Sequence, residues 1–215
     1  MPADIPLTIF AKEPVPGQVK TRMQGYLSEK NCARLAEQLL MDALRNAVSY
    51  WPGAVRIAAW PNKEAPFFQR LSEQYKIEIV QQSEGDLGKK MQTELCRGIE
   101  QSGAAAVVGA DIPHITESTY RSAFDFLDAD RDTVGPTEDG GFYFLGLTQF
   151  PDAIFAGISW GHNEVMQRLN QNVIDLDMVL NKLPMYRDID EWRDLQWLAR
   201  QNTSYRTFID DNSEV

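Results

Sequence analysis

The sequence is poor in the residues that build several common kinds of site. Its 215 residues include only two cysteines, Cys32 and Cys96, and two histidines, His114 and His162. Both cysteines lie in helical patterns without metal-ligand spacing, which indicates small packing residues in a reducing compartment. The histidines are far apart in sequence and have no serine-centred signature nearby, so we do not expect a histidine-based catalytic triad.

Long apolar runs and an excess of basic residues are also missing. No stretch approaches the roughly 18 apolar residues of a membrane span, and the N-terminus lacks the shape of a signal peptide. We therefore expect a soluble, cytoplasmic protein without a membrane partner. Lys and Arg number 21 against 31 Asp and Glu, a net charge of -10, which argues against a nucleic-acid partner. An anionic substrate would have to be met by local cations or by a metal ion.

The remaining composition is that of a globular chain. Hydrophobic residues make up 43% and charged residues 24%, enough for one domain with a substantial core. We expect a single domain over residues 1–201 and a polar, frayed tail over residues 202–215. The predicted strands are 7–11, 55–60, 77–80, 104–110, 132–135 and 142–147, with 185–189 as a candidate last strand. The predicted helices are 28–50, 65–74, 89–101, 116–127, 163–170 and 191–200.

This alternation of strands and helices predicts an α/β fold. Sequential strands joined by helices form parallel sheets with right-handed crossovers and helices on both faces. The segment 9–23 begins within the first strand and continues into a loop with two prolines and a glycine, and it carries Lys12, Lys20 and Arg22. A stiff cationic loop at the C-terminal edge of such a sheet suits phosphate binding. The alternative is a Pro-bent connection with ordinary surface lysines, and the spacing is not that of a P-loop.

Three carboxylates are candidate metal ligands. Asp111 follows a small-residue strand and precedes Pro113 at the predicted edge, although an Asp before a Pro also forms turns. Asp188 and Asp190 alternate, so their side chains share one face of an extended segment. Together the three would form an all-oxygen site suited to Mg²⁺ or Mn²⁺. Asp190 is equally a good N-cap for the last helix.

Three further motifs are weaker. Glu138–Gly141 is a hairpin turn signal between two strands, and it would also place Asp139 and glycine amides against a substrate. Glu84–Gly88 offers amides and the Asp86 carboxylate to a nucleobase or ribose. Trp160–His162 precedes a helix and could line an acceptor pocket, although a tryptophan is more often a packing residue.

Taken together and in this order, these motifs resemble a bacterial family of GT-A-fold transferases. The residues that carry the resemblance are Ala11–Arg22, Gly85–Gly88, Gly109–Pro113, Gly135–Gly141, Trp160–Gly161 and Asp188–Asp190. Members are described as glycosyltransferases of the arsenosugar-biosynthesis type or as radical-SAM- and selenodomain-associated transferases. The family is also similar to deazaflavin- and molybdenum-cofactor nucleotidyltransferases. The resemblance implies a three-layer α/β/α fold with a mostly parallel, Rossmann-like sheet of the nucleotide-diphospho-sugar transferase (GT-A) type.

The resemblance also implies roles for individual residues. Lys12, Lys20 and Arg22 would bind the donor phosphates. Asp86 and Gly88 would lie near the base or ribose of the donor. The donor itself would be a nucleotide-sugar or a nucleoside triphosphate, and the acceptor a small molecule.

The implied chemistry centres on the carboxylates. Asp111, Asp188 and Asp190 would bind a divalent metal, Mg²⁺ or Mn²⁺, on the donor phosphates. Asp139 and Asp111 would be the catalytic residues, with Asp139 orienting or deprotonating the acceptor. The metal and the cations would neutralise the departing diphosphate.

On the acceptor side the sequence departs from the family pattern twice. The implied acceptor-side residues are Gly140, Gly141, Trp160 and His162. Phe142 stands where a tyrosine is usual, so a hydroxyl is missing beside the turn. His162 stands where a threonine or serine is usual.

Three functions are compatible with these residues. The first is metal-dependent glycosyl transfer from a nucleotide-sugar to a small acceptor. The second is nucleotidyl transfer, in which a nucleoside triphosphate is joined to an acceptor phosphate with release of pyrophosphate. The third is a nucleotide-binding module without turnover. The first two require the same phosphate grip, so the sequence does not separate them.

Overall fold

A computed structural model of the protein describes residues 4–210. The strands are β1 Leu7–Lys12, β2 Val55–Trp60, β3 Glu78–Gln81, β4 Ala105–Gly109, β5 Thr133–Pro136, β6 Phe142–Leu147 and β7 Asn181–Lys182. The helices are α1 Glu29–Tyr50, α2 Pro66–Tyr75, α3 Leu87–Ser102, α4 Glu117–Asp128, α5 Val165–Asp175, α6 Trp192–Gln201 and α7 Arg206–Asp210. Two 3₁₀ turns, Thr21–Met23 and Thr203–Tyr205, complete the regular structure of the described residues.

The strands form one mostly parallel sheet in the order β3-β2-β1-β4-β6-β5-β7. β3, β2, β1 and β4 are parallel to one another, β6 runs antiparallel to both β4 and β5, and β7 is parallel to β5. The antiparallel pair follows from the hairpin turn at residues 137–141, because a short turn reverses the chain where a crossover helix would not. The predicted α/β class is confirmed.

Helices cover both faces of this sheet, as the alternation of β4 shows. Ala106 and Val108 pack in a core cluster with α1, α2 and α4. Ala105 and Val107 pack in a second cluster with α3 and α5. Because successive residues of a strand point to opposite faces, β4 lies in the middle layer of three.

A third core cluster joins the C-terminal helices to the first half of α1. Leu35 and Leu39 of α1 pack there with Leu195 and Leu198 of α6, and Phe208 of α7 closes the cluster. The expectation that the chain frays from residue 202 is therefore wrong for residues 202–210. The mean polarity of this segment hides two buried aromatic side chains, Tyr205 and Phe208; residues 211–215 lie outside the described residues.

The last predicted strand is also displaced along the chain. Residues 185–189 do not form a strand, and only an isolated bridge joins Tyr186 to Thr137. The sheet edge is instead the two-residue β7, which pairs with β5 through Thr133 and Asn181. A short edge strand satisfies few backbone groups, and its sequence carries no apolar alternation that would reveal it.

The two cysteines are free thiols, Cys32 buried and Cys96 partly buried. Burial raises the pKa of each thiol. In the described part of the chain, no helix is long and apolar enough to cross a membrane.

We predict that Phe208→Ala lowers the free energy of unfolding by about 3 kcal/mol, since the ring is 3% exposed and its loss leaves a cavity. Urea unfolding followed by circular dichroism measures the change. Val179→Ala is the control, because Val179 is 75% exposed. Equal midpoints for the two variants would show that the C-terminal helices do not contribute to the core.

Candidate active site

Two cavities open side by side at the C-terminal edge of the sheet. The first, here named the apolar cavity, encloses about 360 Å³ and is lined by Phe10, Arg22, Leu87, Met91, Val107, Val108, Gly109, Asp111, Ile112, Thr137, Asp139, Gly141, Phe142, Tyr143, Trp160, Gly161, His162, Val165, Asp188 and Asp190. The second, here named the lysine cavity, encloses about 390 Å³ and is lined by Phe10, Ala11, Lys12, Gln18, Val19, Lys20, Ala36, Leu40, Trp60, Gln82, Leu87, Lys90, Ala110, Asp111 and Asp190. Asp111 and Asp190 line both cavities, so they stand at the junction.

Lys20 fills the space between these two carboxylates. Its ammonium lies 2.7 Å from Asp111 Oδ1 and 3.8 Å from Asp190 Oδ1, and it donates to the carbonyl oxygen of Ile189 at 2.6 Å. The side chain is only 5% exposed. Its backbone adopts the left-handed conformation, with φ of 49°, at the start of the 3₁₀ turn. The predicted cationic loop therefore places a buried charge at the junction of the cavities.

Arg22 adds a second cation beside Asp190, and the two side chains form an ion pair. Asp190 is not the N-cap of α6. Glu191 caps that helix in a capping box, and its N–H donates to Asp194 Oδ2 at 2.8 Å. Because Glu191 caps the helix, the Asp190 carboxylate is free to form ion pairs with Lys20 and Arg22.

Asp188 lies on the same wall of the apolar cavity without a described ion pair among residues 4–210. Burial, and then the nearby carboxylates of Asp139, Asp190 and Asp111, raise its pKa to about 6. Ile189 between the two aspartates is fully buried, so the alternation expected from the sequence holds although the segment is not a strand. Four carboxylates thus face one cavity and repel one another.

The turn between β5 and β6 is also part of the cavity wall. Asp139 Oδ1 accepts from Thr137 Oγ1 at 2.5 Å and from the Gly141 N–H at 3.1 Å. These bonds fix one oxygen of the carboxylate within the turn. Asp139 and Gly141 belong to the hairpin turn and also line the apolar cavity.

Gly140 serves the architecture of the turn and does not line the apolar cavity. Its φ is 91°, and a Cβ atom there would lie 2.0 Å from the carbonyl oxygen of Asn163. Its own carbonyl accepts from the N–H of Met166 at 2.8 Å. Glycine is required because the backbone of the turn contacts the segment before α5 directly.

The donor set fits a hard divalent cation in its chemistry. Asp111, Asp139, Asp188 and Asp190 offer only oxygen ligands, and four carboxylates exceed the two cations, Lys20 and Arg22, that pair with them. The expected triad around one ion is not preassembled, however: within residues 4–210, no group of three or more His, Cys, Asp or Glu side chains is arranged to hold a metal. Lys20 and Arg22 instead form ion pairs with Asp111 and Asp190.

Asp86 and Gly88, predicted to lie near the base or ribose, are outside both cavities. Asp86 caps α3 by accepting from the Lys89 N–H at 2.8 Å. Gly88 packs beneath the indole of Trp160, where a Cβ atom would lie 2.7 Å from the ring. Leu87, between them, lines both cavities. The glycine therefore serves packing and the aspartate serves the helix terminus.

Three of the four predicted acceptor-side residues, Gly141, Trp160 and His162, line the apolar cavity, and Gly140 does not. Gly161 lines it as well. The Trp160 indole meets Phe142 edge-on, with ring centroids 6.2 Å apart, and meets Phe155 at 5.3 Å. The missing tyrosine hydroxyl at position 142 leaves this wall apolar, which suits the face of a ring.

Lys12, which was predicted from the sequence, lines the lysine cavity and donates to the Gln18 carbonyl at 2.8 Å.

Three other lining residues of this cavity, Trp60, Gln82 and Lys90, were not predicted from the sequence. Trp60 and Lys90 lie on the same wall, with the Lys90 ammonium 3.8 Å above the indole. Gln82 follows β3 on the adjoining wall. The available signal was that Trp60 ends β2 and that Gln82 directly follows β3, whereas Lys90 lies in the first turn of α3.

Comparison with solved structures defines the fold class. A candidate nucleotide-diphospho-sugar transferase from Desulfovibrio desulfuricans G20 superposes with a TM-score of 0.87 at 24% identity, covering 99% of this chain and 96% of that chain. A 4-diphosphocytidyl-2C-methyl-D-erythritol synthase from Anaerococcus prevotii DSM 20548 gives 0.61 at 11%, covering 94% and 100%. Rv0371c of Mycobacterium tuberculosis H37Rv, in complex with manganese, gives 0.52 at 15%, covering 93% and 100%. The fold is that of the nucleotide-diphospho-sugar transferases.

The chain belongs to the bacterial family DUF2064, described as uncharacterized protein conserved in bacteria, whose model matches residues 43–162. The matched segment includes Asp111, Asp139 and the acceptor-side residues. A search of the curated proteins gives no match.

We predict that Asp188→Asn stabilises the metal-free protein at pH 7.5 by about 1–3 kcal/mol. The pKa of Asp188 is raised from 3.8 to about 6 in the folded chain, so its charged form destabilises folding. The penalty is complete above pH 6 and absent below about pH 4. Thermal melts in EDTA at both pH values measure it.

Asp125→Asn, on the exposed side of α4, is the control for this experiment. It removes one carboxylate from the chain without touching the cluster, so its melting temperature should follow the wild type at both pH values. A destabilised Asp188→Asn at pH 7.5 would mean that the carboxylate makes a favourable contact.

Proposed function

We propose that the protein is a transferase that acts on a nucleotide-activated donor, and that it transfers a glycosyl group from a nucleotide-sugar to a small acceptor. The observation that carries this proposal is the junction, where Lys20 joins Asp111 and Asp190 between a cationic cavity and an apolar one. A molecule that is anionic at one end and a sugar at the other fits two such adjacent cavities.

The nucleotide moiety belongs in the lysine cavity. Lys12, Lys20 and Lys90 line it, and one opposite charge at about 4 Å contributes roughly 4 kcal/mol at an effective dielectric of about 20. This local attraction outweighs a diffuse, screened net charge. The fold supports the same placement, because ligands of open α/β sheets bind at the carboxyl ends of the strands.

The loop before Lys20 favours a diphosphate over a triphosphate. The N–H groups of Glu13, Val15 and Gln18 donate to backbone carbonyls, and Pro14 and Pro16 have none to offer. Five of the eight positions from 13 to 20 therefore offer no free N–H, and side chains such as Lys12 and Lys20 would supply most of the phosphate contacts. A triphosphate site usually presents several backbone amides, so this loop supports glycosyl over nucleotidyl transfer.

A divalent ion would be held by Asp111, Asp188 and Asp190. When bound, it would supply Lewis-acid stabilisation of the departing diphosphate. The manganese complex of Rv0371c, a neighbour in fold, supports a metal in this class. Lys20 and Arg22 would remain near enough to contact the phosphates, since both already lie against Asp190.

Asp139 is the proposed base for the acceptor. Thr137 and the Gly141 N–H hold Oδ1, so the other oxygen is the one available to an acceptor hydroxyl in the apolar cavity. In the proposed step that hydroxyl oxygen bonds to the sugar carbon, its proton goes to Asp139, and the bond to the diphosphate oxygen breaks. Trp160 and His162 would contact the acceptor.

The experiment is an assay of the purified chain with Mn²⁺ or Mg²⁺ against nucleotide-sugars and nucleoside triphosphates. We expect release of a nucleoside diphosphate from one nucleotide-sugar, detected by chromatography. Pyrophosphate release from a triphosphate would instead establish nucleotidyl transfer. Tight nucleotide binding without any product would favour a binding module.

Lys20→Met and Asp139→Asn separate donor binding from chemistry. Lys20→Met should weaken nucleotide binding about 10-fold or more, because a charge-assisted contact is lost. Asp139→Asn should keep binding within about 2-fold and lower turnover by about 100-fold or more. Lys30→Met, an exposed lysine of α1, is the matched control, and calorimetry with turnover assays measures both quantities. Full activity of Asp139→Asn would exclude it as the base.

A further inference from the structure

Gln82 is a buried amide on the wall of the lysine cavity. Its side chain is 8% exposed, and it directly follows β3, where the sheet ends. The backbone N–H of Gln82 donates to the Ala59 carbonyl at 3.1 Å, which continues the parallel ladder one residue past the strand. The side chain therefore starts from a rigid backbone position.

Two backbone carbonyls fix the orientation of this amide. Nε2 donates to the Ala58 carbonyl at 2.8 Å and to the Ala11 carbonyl at 3.2 Å. Both partners are acceptors only, so the NH₂ group must face them, and both of its hydrogens are used. The flipped amide would set three oxygens against one another.

With both hydrogens of Nε2 used, the amide oxygen Oε1 is the remaining hydrogen-bonding atom of the Gln82 side chain. Among residues 4–210 no hydrogen bond reaches Oε1, and Oε1 is not one of the fully enclosed, unpartnered polar atoms of that range. An acceptor at a cavity wall that has no protein partner is available to a donor on a ligand. Leaving such an acceptor without a hydrogen bond costs free energy, so ligands that supply an N–H or O–H group are favoured.

The surroundings of Gln82 suit the base of a nucleotide. Trp60 and Lys90 line the same cavity, and Leu87 adds apolar surface. Lys12 and Lys20, on the loop after β1, suit the phosphates, which leaves Gln82, Trp60 and Leu87 to the planar, N–H-bearing end of the ligand. Asp86, whose carboxylate caps α3, is not in this cavity.

We propose that Gln82 is the residue that selects the donor's nucleobase, by accepting a hydrogen bond at Oε1 from a ring N–H or an exocyclic amino group. This inference rests on the proposed function, because it assumes that a nucleotide occupies the lysine cavity. Gln82 contacts the base and takes no part in the transfer itself.

The test compares base analogues on two variants. Calorimetry of the full chain with Mg²⁺ first identifies which of UDP, CDP, ADP and GDP binds most tightly. Two analogues of that nucleotide are then measured, one with the donating N–H fully methylated and one methylated at a ring carbon. For the wild type we expect the N-methyl analogue to bind about 10-fold or more weakly than the C-methyl analogue.

Gln82→Met keeps the length of the side chain and removes Oε1. We expect it to bring the two analogues within about 2-fold of each other. Gln81→Met is the matched control: Gln81 is the preceding glutamine, its amide bonds to the Pro61 carbonyl and the Lys63 N–H, and it does not line the cavity. It should keep the wild-type ratio. If Gln82→Met does not fold, Gln82→Asn, one methylene shorter, replaces it with the same expected loss.

A purely structural role for Gln82 predicts a different result. The variant would then weaken both analogues equally and keep the wild-type ratio, which would overturn this inference while leaving nucleotide binding intact. A wild type that does not distinguish the two analogues would overturn it as well. Absence of binding by all four diphosphates would overturn the proposed function together with this inference.

Discussion

The buried ammonium of Lys20 is the contact on which the architecture of the site depends. It joins Asp111, which follows β4, to Asp190, which precedes α6, and it reaches them from the loop after β1. Three parts of the chain that are distant in sequence therefore meet at one charge. Removing Asp111 or Asp190 would leave the ammonium of Lys20, whose side chain is 5% exposed, with fewer charge partners, and a buried charge without compensation typically costs more than an ion pair contributes. Lys20 also has a left-handed backbone, with φ of 49°, a strained conformation that persists only where surrounding contacts fix it.

The site has a basic side and an acidic side, and this separation explains how an acidic protein could bind an anionic ligand. On one side the lysines face the lysine cavity; on the other, Asp139 and Asp188 face the apolar cavity. The pKa of Asp188 is raised first by burial and then by the neighbouring carboxylates of Asp139, Asp190 and Asp111. A diphosphate alone would be repelled by the acidic side, and a metal ion alone by Lys20 and Arg22. Under the proposed function each ligand would lower the cost of binding the other, so donor and metal should bind cooperatively.

The parts of the site that could be predicted from the sequence are those determined by local pattern. Apolar runs located the buried strands, and Asp111 followed from its position after β4. Asp86 could not be separated from a ligand-binding residue, because a helix cap and a ribose contact require the same side chain at the same junction. Gln82 was missed because its role depends on the carbonyls of Ala11 and Ala58, which only the register of three strands brings together. The short edge strand β7 carries no periodicity at all.

Helices α6 and α7 pack against residues next to the junction, although neither helix contributes a residue to the lining of the two cavities. Ile189, between Asp188 and Asp190, is fully buried in the same cluster as Met23, which directly follows Arg22. The cations and the carboxylates are therefore anchored by neighbouring residues in one apolar cluster. Because packed cores deform little, the spacing of the charges is set by that packing more than by their attraction. Loosening the cluster at α7 should thus alter the site before the sheet unfolds. The last turns of the described chain would then help to set the geometry of the site.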